Sequence, residues 1–245
     1  MKKIGLMMIV ALMLAAAGCA RQEAALLTWQ RAGDRWEAHR DMETYTLEAD
    51  IPAVSDAIDE ANKARAEDMA RSFSLEMAQR LEELPKTEGT GAWVLKGEAS
   101  GLDDGFTSVA LVQYTYLPGN AHGAYAIETR TYQAGCAEPV ALSSLFVPGT
   151  DIYRELSRIA YWMLLDSDQL GDYADPQWIS SGTEPTEENF SAFMVRPEGL
   201  EIIFAPYQIG PWALGEQRLT IPWSRLAQWL TPELAEAAGV AEGAA

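Results

Sequence analysis

From residue 45 the chain alternates. Tyr45, Leu47, Ala49 and Ile51 are apolar, and Thr44, Thr46, Glu48 and Asp50 between them are polar. A period of two is that of a strand with one buried face, and Pro52 closes it. The period then lengthens. Ile58, Asn62, Ala66, Met69, Phe73, Met77, Leu81 and Leu84 recur at steps of three and four, which predicts a long helix over residues 55–84 with charged residues on its far side. Pro85 stops it, because its ring blocks continuation. Residues 86–91 read as a polar loop. Extended character returns at 92–99, and again at 106–117, where Val109, Leu111, Gln113 and Thr115 share one parity. A third strand is expected at 124–133 and a short one at 140–142. The Gly-Leu-Asp-Asp-Gly run at 101–105, then Pro118-Gly119-Asn120 and Ala134-Gly135-Cys136, supply the turns, so this stretch predicts an antiparallel meander.

A second helix is predicted from Asp151, capped by Thr150 or Asp151, with Ile152, Leu156, Ile159, Ala160, Met163 and Leu164 as its apolar stripe. A loop-rich segment runs on to Asn189. Two runs, 190–195 and 200–204, flank Arg196-Pro197-Glu198-Gly199 and read as a hairpin with proline in its turn. A last strand at 219–222 and a closing helix at 224–230 precede a small-residue tail at 233–245, expected to be disordered. The class is α+β: an antiparallel sheet packed against a long N-terminal helix and a second helix.

The start of the chain has another logic. Met1-Lys2-Lys3 is followed by an apolar run to Ala17, and then by Gly18-Cys19. Such a segment is a secretory signal, too short for a permanent membrane span. Ala16, Ala17 and Gly18 before a cysteine resemble the lipobox of bacterial lipoproteins, although that family favours Leu where Ala16 stands. The resemblance implies removal of residues 1–18 and a lipid anchor on Cys19, with palmitate-type chains on its sulfur and new amino end. Ala20 in place of Asp implies sorting to the outer membrane, facing the periplasm. Ordinary cleavage nearby, leaving a secreted soluble protein, is the other reading. Residues 19–42 read as a tether with some helical tendency, since Leu26, Leu27, Trp29 and Trp36 are sparse.

Charge narrows the partners. The formal net charge is −18, and losing Lys2 and Lys3 with the signal makes it more negative. Such a surface repels nucleic acid and attracts cationic partners. With Cys19 lipidated, Cys136 has no intrachain partner, so no disulfide is expected despite an oxidising compartment.

Catalytic motifs are sparse. The sequence has no GxSxG, HExxH, Walker A, CxxC or Rossmann glycine pattern. His39 lies in the tether, and His122 between two strands has no nucleophile nearby in sequence, so it reads first as a ring that hydrogen-bonds the backbone and fixes a turn. A carboxylate pair of the glycosidase kind is defined in space, and the sequence leaves it open. Asp166, Asp168, Gly171 and Asp172 fall at calcium-loop positions, but Leu170 and Gln177 break the pattern, leaving a weak metal candidate. Tyr207 and Trp212 stand in a loop stiffened by Pro206 and Pro211. Aromatic rings on a rigid loop present area at low entropy cost; equally, both rings could cover the edge of the core. No cofactor is implied. The candidate binding residues are Asn120, His122, Tyr125, Tyr207 and Trp212.

These residues resemble a known family. Asn120-Ala121-His122-Gly123, Thr131-Tyr132, Gly135 and Leu142-Ser143-Ser144-Leu145-Phe146 resemble the paired periplasmic module, made of domains of unknown function, found in the RsiV anti-sigma-factor ectodomain and in PdaC-type peptidoglycan deacetylases. Phe204-Ala205-Pro206-Tyr207, Gly210-Pro211, Ala213, Gly215 and Ile221-Pro222 continue the pattern. The resemblance implies an α+β, RsiV-ectodomain-like fold with an N-terminal half at 43–118 and a C-terminal half at 119–232. It carries no catalytic residues. Neither a sigma-binding segment nor a deacetylase domain is expected to accompany the module. The expectation is therefore a non-enzymatic, membrane-anchored envelope lipoprotein that binds a cell-wall fragment or a cationic protein such as lysozyme. A peptidoglycan-acting hydrolase or deacetylase and a structural or assembly lipoprotein are the alternatives.

Overall fold

The two periodicities build a six-stranded and a three-stranded sheet in the computed structural model, which describes residues 25–83, 89–103, 105–136 and 138–240. The larger sheet runs in chain order through β1 (Gln30–Ala32), β2 (Arg35–Asp41), β3 (Tyr45–Pro52), β4 (Gly91–Leu102), β5 (Phe106–Tyr116) and β6 (Ala124–Gln133). Neighbours are antiparallel except β3 and β4. These two are parallel and joined by helix α1 (Asp56–Glu83), the crossover that a parallel pair needs. Alternation alone does not distinguish parallel from antiparallel partners, so the sequence pattern left this pair unread.

Helix α1 buries Ala66, Met69, Ala70, Phe73 and Met77 against Leu47, Ile51, Trp93, Leu95, Val109 and Leu111 of the sheet. Each large side chain enclosed in this way stabilises the fold by roughly 1.5–3 kcal/mol. Asp59 is also inside. Its carboxylate accepts from Trp36 Nε1 at 2.8 Å and from the Val54 N–H at 2.7 Å, as a buried charge requires.

Several expectations are corrected. Residues 30–41, read as part of a tether with helical tendency, form β1 and β2 of the sheet. Leu27 is buried, and the Glu67 carboxylate accepts from the Leu26 and Leu27 N–H groups at 2.6 and 2.9 Å. An edge strand exposed along most of its length carries little periodic signal. The short strand at 140–142 is a single bridge, Thr131 to Val140, followed by a 3-10 turn at Leu142–Leu145. The signal segment and Cys19 lie outside the described residues. Among those described, no helix is long and apolar enough to cross a membrane.

The smaller sheet is β7 (Phe193–Arg196), β8 (Gly199–Phe204) and β9 (Gln217–Pro222), antiparallel throughout, and the predicted hairpin turn joins β7 to β8. Helices α2 (Ile152–Leu165) and α3 (Pro176–Gly182) pack with it around Leu156, Leu164, Phe190, Ile202 and Phe204. Asp151 caps α2, accepting from the Arg154 N–H. The expected strand from 190 starts only at Phe193, because 188–190 is a 3-10 turn. The loop-rich stretch before it holds α3, where Asp175 is the cap and Pro176 occupies the first turn. The closing helix shortens to α4 (Trp223–Leu226) and a 3-10 turn. Part of the tail expected to be disordered is a helix, α5 (Pro232–Ala237), with Leu234 and Ala235 buried; residues 241–245 lie outside the description.

Strand β7 lies across β4, β5 and β6 on the side away from α1. Ala110 meets Met194 and Ile203 there. Ser108 Oγ accepts from the Val195 N–H at 2.8 Å, and Thr129 Oγ1 from the Phe193 N–H at 3.0 Å. Charges complete the seam. Arg196 reaches Glu98 at 3.0 Å and Glu201 at 2.6 Å, while Arg218 contacts Glu98, Glu201 and Glu216. Burial disfavours the Glu98 charge, but hydrogen bonds from Arg218 and Arg196 outweigh it and hold the carboxyl below the usual carboxylate range. The smaller sheet thus covers one part of the larger sheet's second face and leaves the rest open.

Candidate functional site

The open part is set by register. On β4 and β5, Trp93, Leu95, Val109 and Leu111 point to α1, so Val94, Lys96, Val112 and Tyr114 point the other way. Val94 pairs with Tyr114, and Tyr114 with Tyr125 on β6. Val94, Val112, Tyr114 and Tyr125 floor a cleft of about 380 Å³, with Arg218 of β9 and Glu216 just before that strand as its wall. Tyr125 also borders a smaller cleft of about 150 Å³, lined by His122, Tyr207 and Trp212. The two clefts meet at Tyr125, at the junction of the sheets, and are taken together as the aromatic groove.

Aromatic rings crowd its end. Tyr114 and Tyr125 have centroids 5.2 Å apart, Tyr125 and Trp212 6.4 Å, and the His122 ring stacks on Trp212 at 4.6 Å with 27° between planes. His122 Nδ1 lies 2.8 Å from the Gly123 carbonyl, which can only accept, so Nδ1 carries the proton. In the neutral ring Nε2 is then the acceptor for the Tyr207 hydroxyl, 3.3 Å away. Both nitrogens are engaged. Gly123 belongs to the same geometry, because a Cβ there would collide with the Tyr114 ring.

The loop that presents Tyr207 is held from behind. Tyr207 has φ +72°, a left-handed conformation that a bulky residue adopts only when its surroundings impose it. They do so through Gln208. Its side-chain oxygen accepts from the Ala205 N–H at 3.1 Å, and its amide donates to the Gly182 and Asn189 carbonyls at 3.1 and 3.0 Å. Trp178 Nε1 donates to the Tyr207 carbonyl at 2.8 Å. Gly182 permits this contact, since a Cβ there would strike the Gln208 carbonyl. Tyr207 is 54% exposed, so a strained backbone displays an aromatic residue to solvent.

The structure brings together four of the five candidate residues, His122, Tyr125, Tyr207 and Trp212. Asn120 goes elsewhere: its side-chain oxygen accepts from Arg80 of α1 at 2.9 Å. The acidic residues Asp166, Asp168 and Asp172 do not gather as a calcium loop. Asp166 ends α2, and Gly171 kinks the 3-10 turn that follows; among the described residues no three His, Cys, Asp or Glu side chains converge on a metal position. Cys136 is exposed and unpaired. Sequence reading missed Val94, Val112 and Tyr114, which look like the solvated half of an alternating strand. The cross-strand register of the 106–117 and 124–133 strands was the one signal that could have placed Tyr114 beside Tyr125.

The arrangement is an α+β scaffold with an aromatic groove between two sheets, and the comparisons agree on the scaffold. Residues 143–224 match a family described as "Protein of unknown function (DUF3298)". A stretch of 121 residues is 33% identical to the peptidoglycan-N-acetylmuramic acid deacetylase PdaC of Bacillus subtilis (strain 168), covering 49% of this chain and 25% of that protein. The chain thus spans about a quarter of that relative's length. A DUF3298 family protein (PA4972) from Pseudomonas aeruginosa PAO1 superposes with a TM-score of 0.61 at 19% identity, over 85% of this chain and 96% of that one. A second member (BF2082), from Bacteroides fragilis NCTC 9343, gives 0.57 at 13% identity, over 89% and 99%. At these identities the likeness is one of fold. The matched stretch contains Tyr207 and Trp212, whereas Tyr114, His122 and Tyr125 come from outside it.

Proposed function

We propose that this chain is a non-catalytic, lipid-anchored envelope protein that holds a cell-wall glycan fragment in its aromatic groove. The observation that carries this reading is the line of rings from Tyr114 through Tyr125 and Trp212 to His122 and Tyr207. A pyranose offers a flat face of C–H bonds that packs on such rings, while its hydroxyls meet a polar rim. His122 supports a binding role, since both its nitrogens are occupied and its ring is part of the stack. Similarity to a protein named for N-acetylmuramic acid in peptidoglycan supports the cell wall as the setting. The signal segment, Cys19 and Ala20 support anchoring at the outer membrane.

Calorimetric titration of the purified mature domain with soluble peptidoglycan fragments tests this. Binding that Trp212→Ala abolishes, with the glycan recovered chemically unchanged by mass spectrometry, is the expected result. Absence of binding removes the reading, and conversion of the glycan replaces it with a hydrolase or deacetylase. The net charge of −18 favours a second reading, capture of a cationic protein such as lysozyme. That binding would weaken steeply with added salt and would be indifferent to Trp212→Ala.

A further inference from the structure

We infer that the groove continues past its aromatic end across the larger sheet, and that Lys96 receives the carboxylate of an acidic sugar lying in it. This inference rests on the glycan reading above. A third cleft, of about 360 Å³, is lined by His39, Glu48 and Asp50 and shares Val94 and Lys96 with the aromatic groove. Register explains the continuity. His39, Glu48, Val94, Tyr114 and Tyr125 form one row across β2 to β6, and Glu37, Asp50, Lys96, Val112 and Ile127 form the next. Four strand spacings at about 4.8 Å each give a trough roughly 19 Å long. That length suits an oligosaccharide better than a single sugar.

Lys96 sits at mid-trough, and three of the carboxylates around it, Asp50, Glu98 and Glu216, are engaged elsewhere. Asp50, its partner on the neighbouring strand, is taken by Arg35 Nε. Arg35 is itself fixed by donating to the Asp50 and Gly97 carbonyls at 3.1 and 2.9 Å. Glu98, two residues along the same face, is held by Arg196 and Arg218, and Glu216 on the wall by Arg218 at 2.8 Å. Among the described residues Lys96 makes no ion pair or hydrogen bond. An unpaired ammonium therefore stands over an apolar floor of Val94 and Val112 in a strongly acidic protein. Glu37 and Glu48 line the third cleft with Lys96; Glu48 has His39 Nδ1 at 3.8 Å, and Glu37 stands two strand spacings away, beyond the screening length of about 8 Å at physiological ionic strength. A concave, partly apolar setting strengthens the attraction of Lys96 for a ligand carboxylate beyond what an open surface gives.

The test compares two glycans of equal length by calorimetry at physiological ionic strength. One is neutral chitotetraose. The other is a peptide-free tetrasaccharide of alternating N-acetylglucosamine and N-acetylmuramic acid, whose lactyl groups carry carboxylates. The wild-type mature domain is expected to bind the acidic glycan about fivefold more tightly than the neutral one. Lys96→Gln is expected to erase that preference without changing chitotetraose affinity, and Lys96→Arg to keep it. Lys96 is exposed, so thermal unfolding of Lys96→Gln is expected to match the wild type, and Trp212→Ala is expected to weaken both glycans. If Trp212→Ala weakens both glycans while Lys96→Gln leaves their ratio untouched, the inference fails and the aromatic-groove reading stands. If neither glycan binds the wild type, both fail together.

Discussion

The larger sheet has two faces built from the same strands by the same alternation, and they serve different ends. Toward α1, Leu47, Ile51, Trp93 and Leu95 are fully enclosed and meet Phe73 and Met77. On the other side Ser108 and Ala110 are sealed by the smaller sheet, but Val94, Val112, Tyr114 and Tyr125 line open clefts. A strand needs only one buried face to be stable. Under the glycan proposal, the apolar and aromatic residues left half-open on the second face are there for a ligand. The difference lies in what covers each face, and only the three-dimensional arrangement shows it.

Truncation should separate the faces most sharply. Phe73→Ala removes a ring packed at the centre of the α1 face and should cost about 3–5 kcal/mol in denaturant unfolding. Tyr125→Ala, at a residue 39% exposed, should cost less than about 1 kcal/mol and instead weaken glycan binding. Equal losses of stability at the two sites would mean that the groove is core, and the contrast would collapse.

The seam between the sheets is intermediate. Glu201→Ala takes away a carboxylate shared by Arg196 and Arg218. Glu98 and Glu216 still neutralise both arginines, so the expected loss is about 2 kcal/mol, below that of a fully buried pair. The same network predicts an acid limit. Glu98 is held below the usual carboxylate range, as is Glu128, where the hydrogen bond from Arg65 outweighs burial. A depressed folded-state value means that the contribution is present above the unfolded-state value and is lost as pH falls through the folded one. The unfolding temperature should therefore hold from neutral pH down to about pH 5 and drop below about pH 4. Glu98→Gln should make that drop shallower; an unchanged acid profile would show that the seam does not control it.

Much of this architecture could be read in advance wherever one period governed a long run. The helix over 55–84, the strands at 45–51, 106–117 and 124–133, and the hairpin around Pro197 all appear close to where the pattern placed them. What escaped shares a physical cause. The edge strands at 30–41 and the helix at 232–237 are short and partly exposed, so few of their residues carry a burial signal. The parallel pairing of β3 with β4 depends on which way α1 folds back, which local sequence does not encode. The site was half legible. Tyr207 and Trp212 stood out because prolines framed them, and His122 because it lay alone in a turn. Val94, Lys96, Val112 and Tyr114 did not stand out. Their parity marked them as the outward half of each strand, and only register and the smaller sheet turn that half into a groove.

The turn between β5 and β6 provides the finest test, because two residues of one motif part company there. Asn120 points to α1 and accepts from Arg80, while His122 points to Trp212. If the groove is defined by what touches its rings, Asn120→Ala should leave glycan affinity unchanged. Its exposed hydrogen bond should cost less than about 0.5 kcal/mol of stability. His122→Ala should instead weaken binding, since it removes a stacked ring and the partner of the Tyr207 hydroxyl together. Should Asn120→Ala weaken binding as much as His122→Ala, the turn would act as one rigid unit tied to α1. The two faces of the sheet would then be coupled through Arg80, and the helix side could no longer be treated as structure alone.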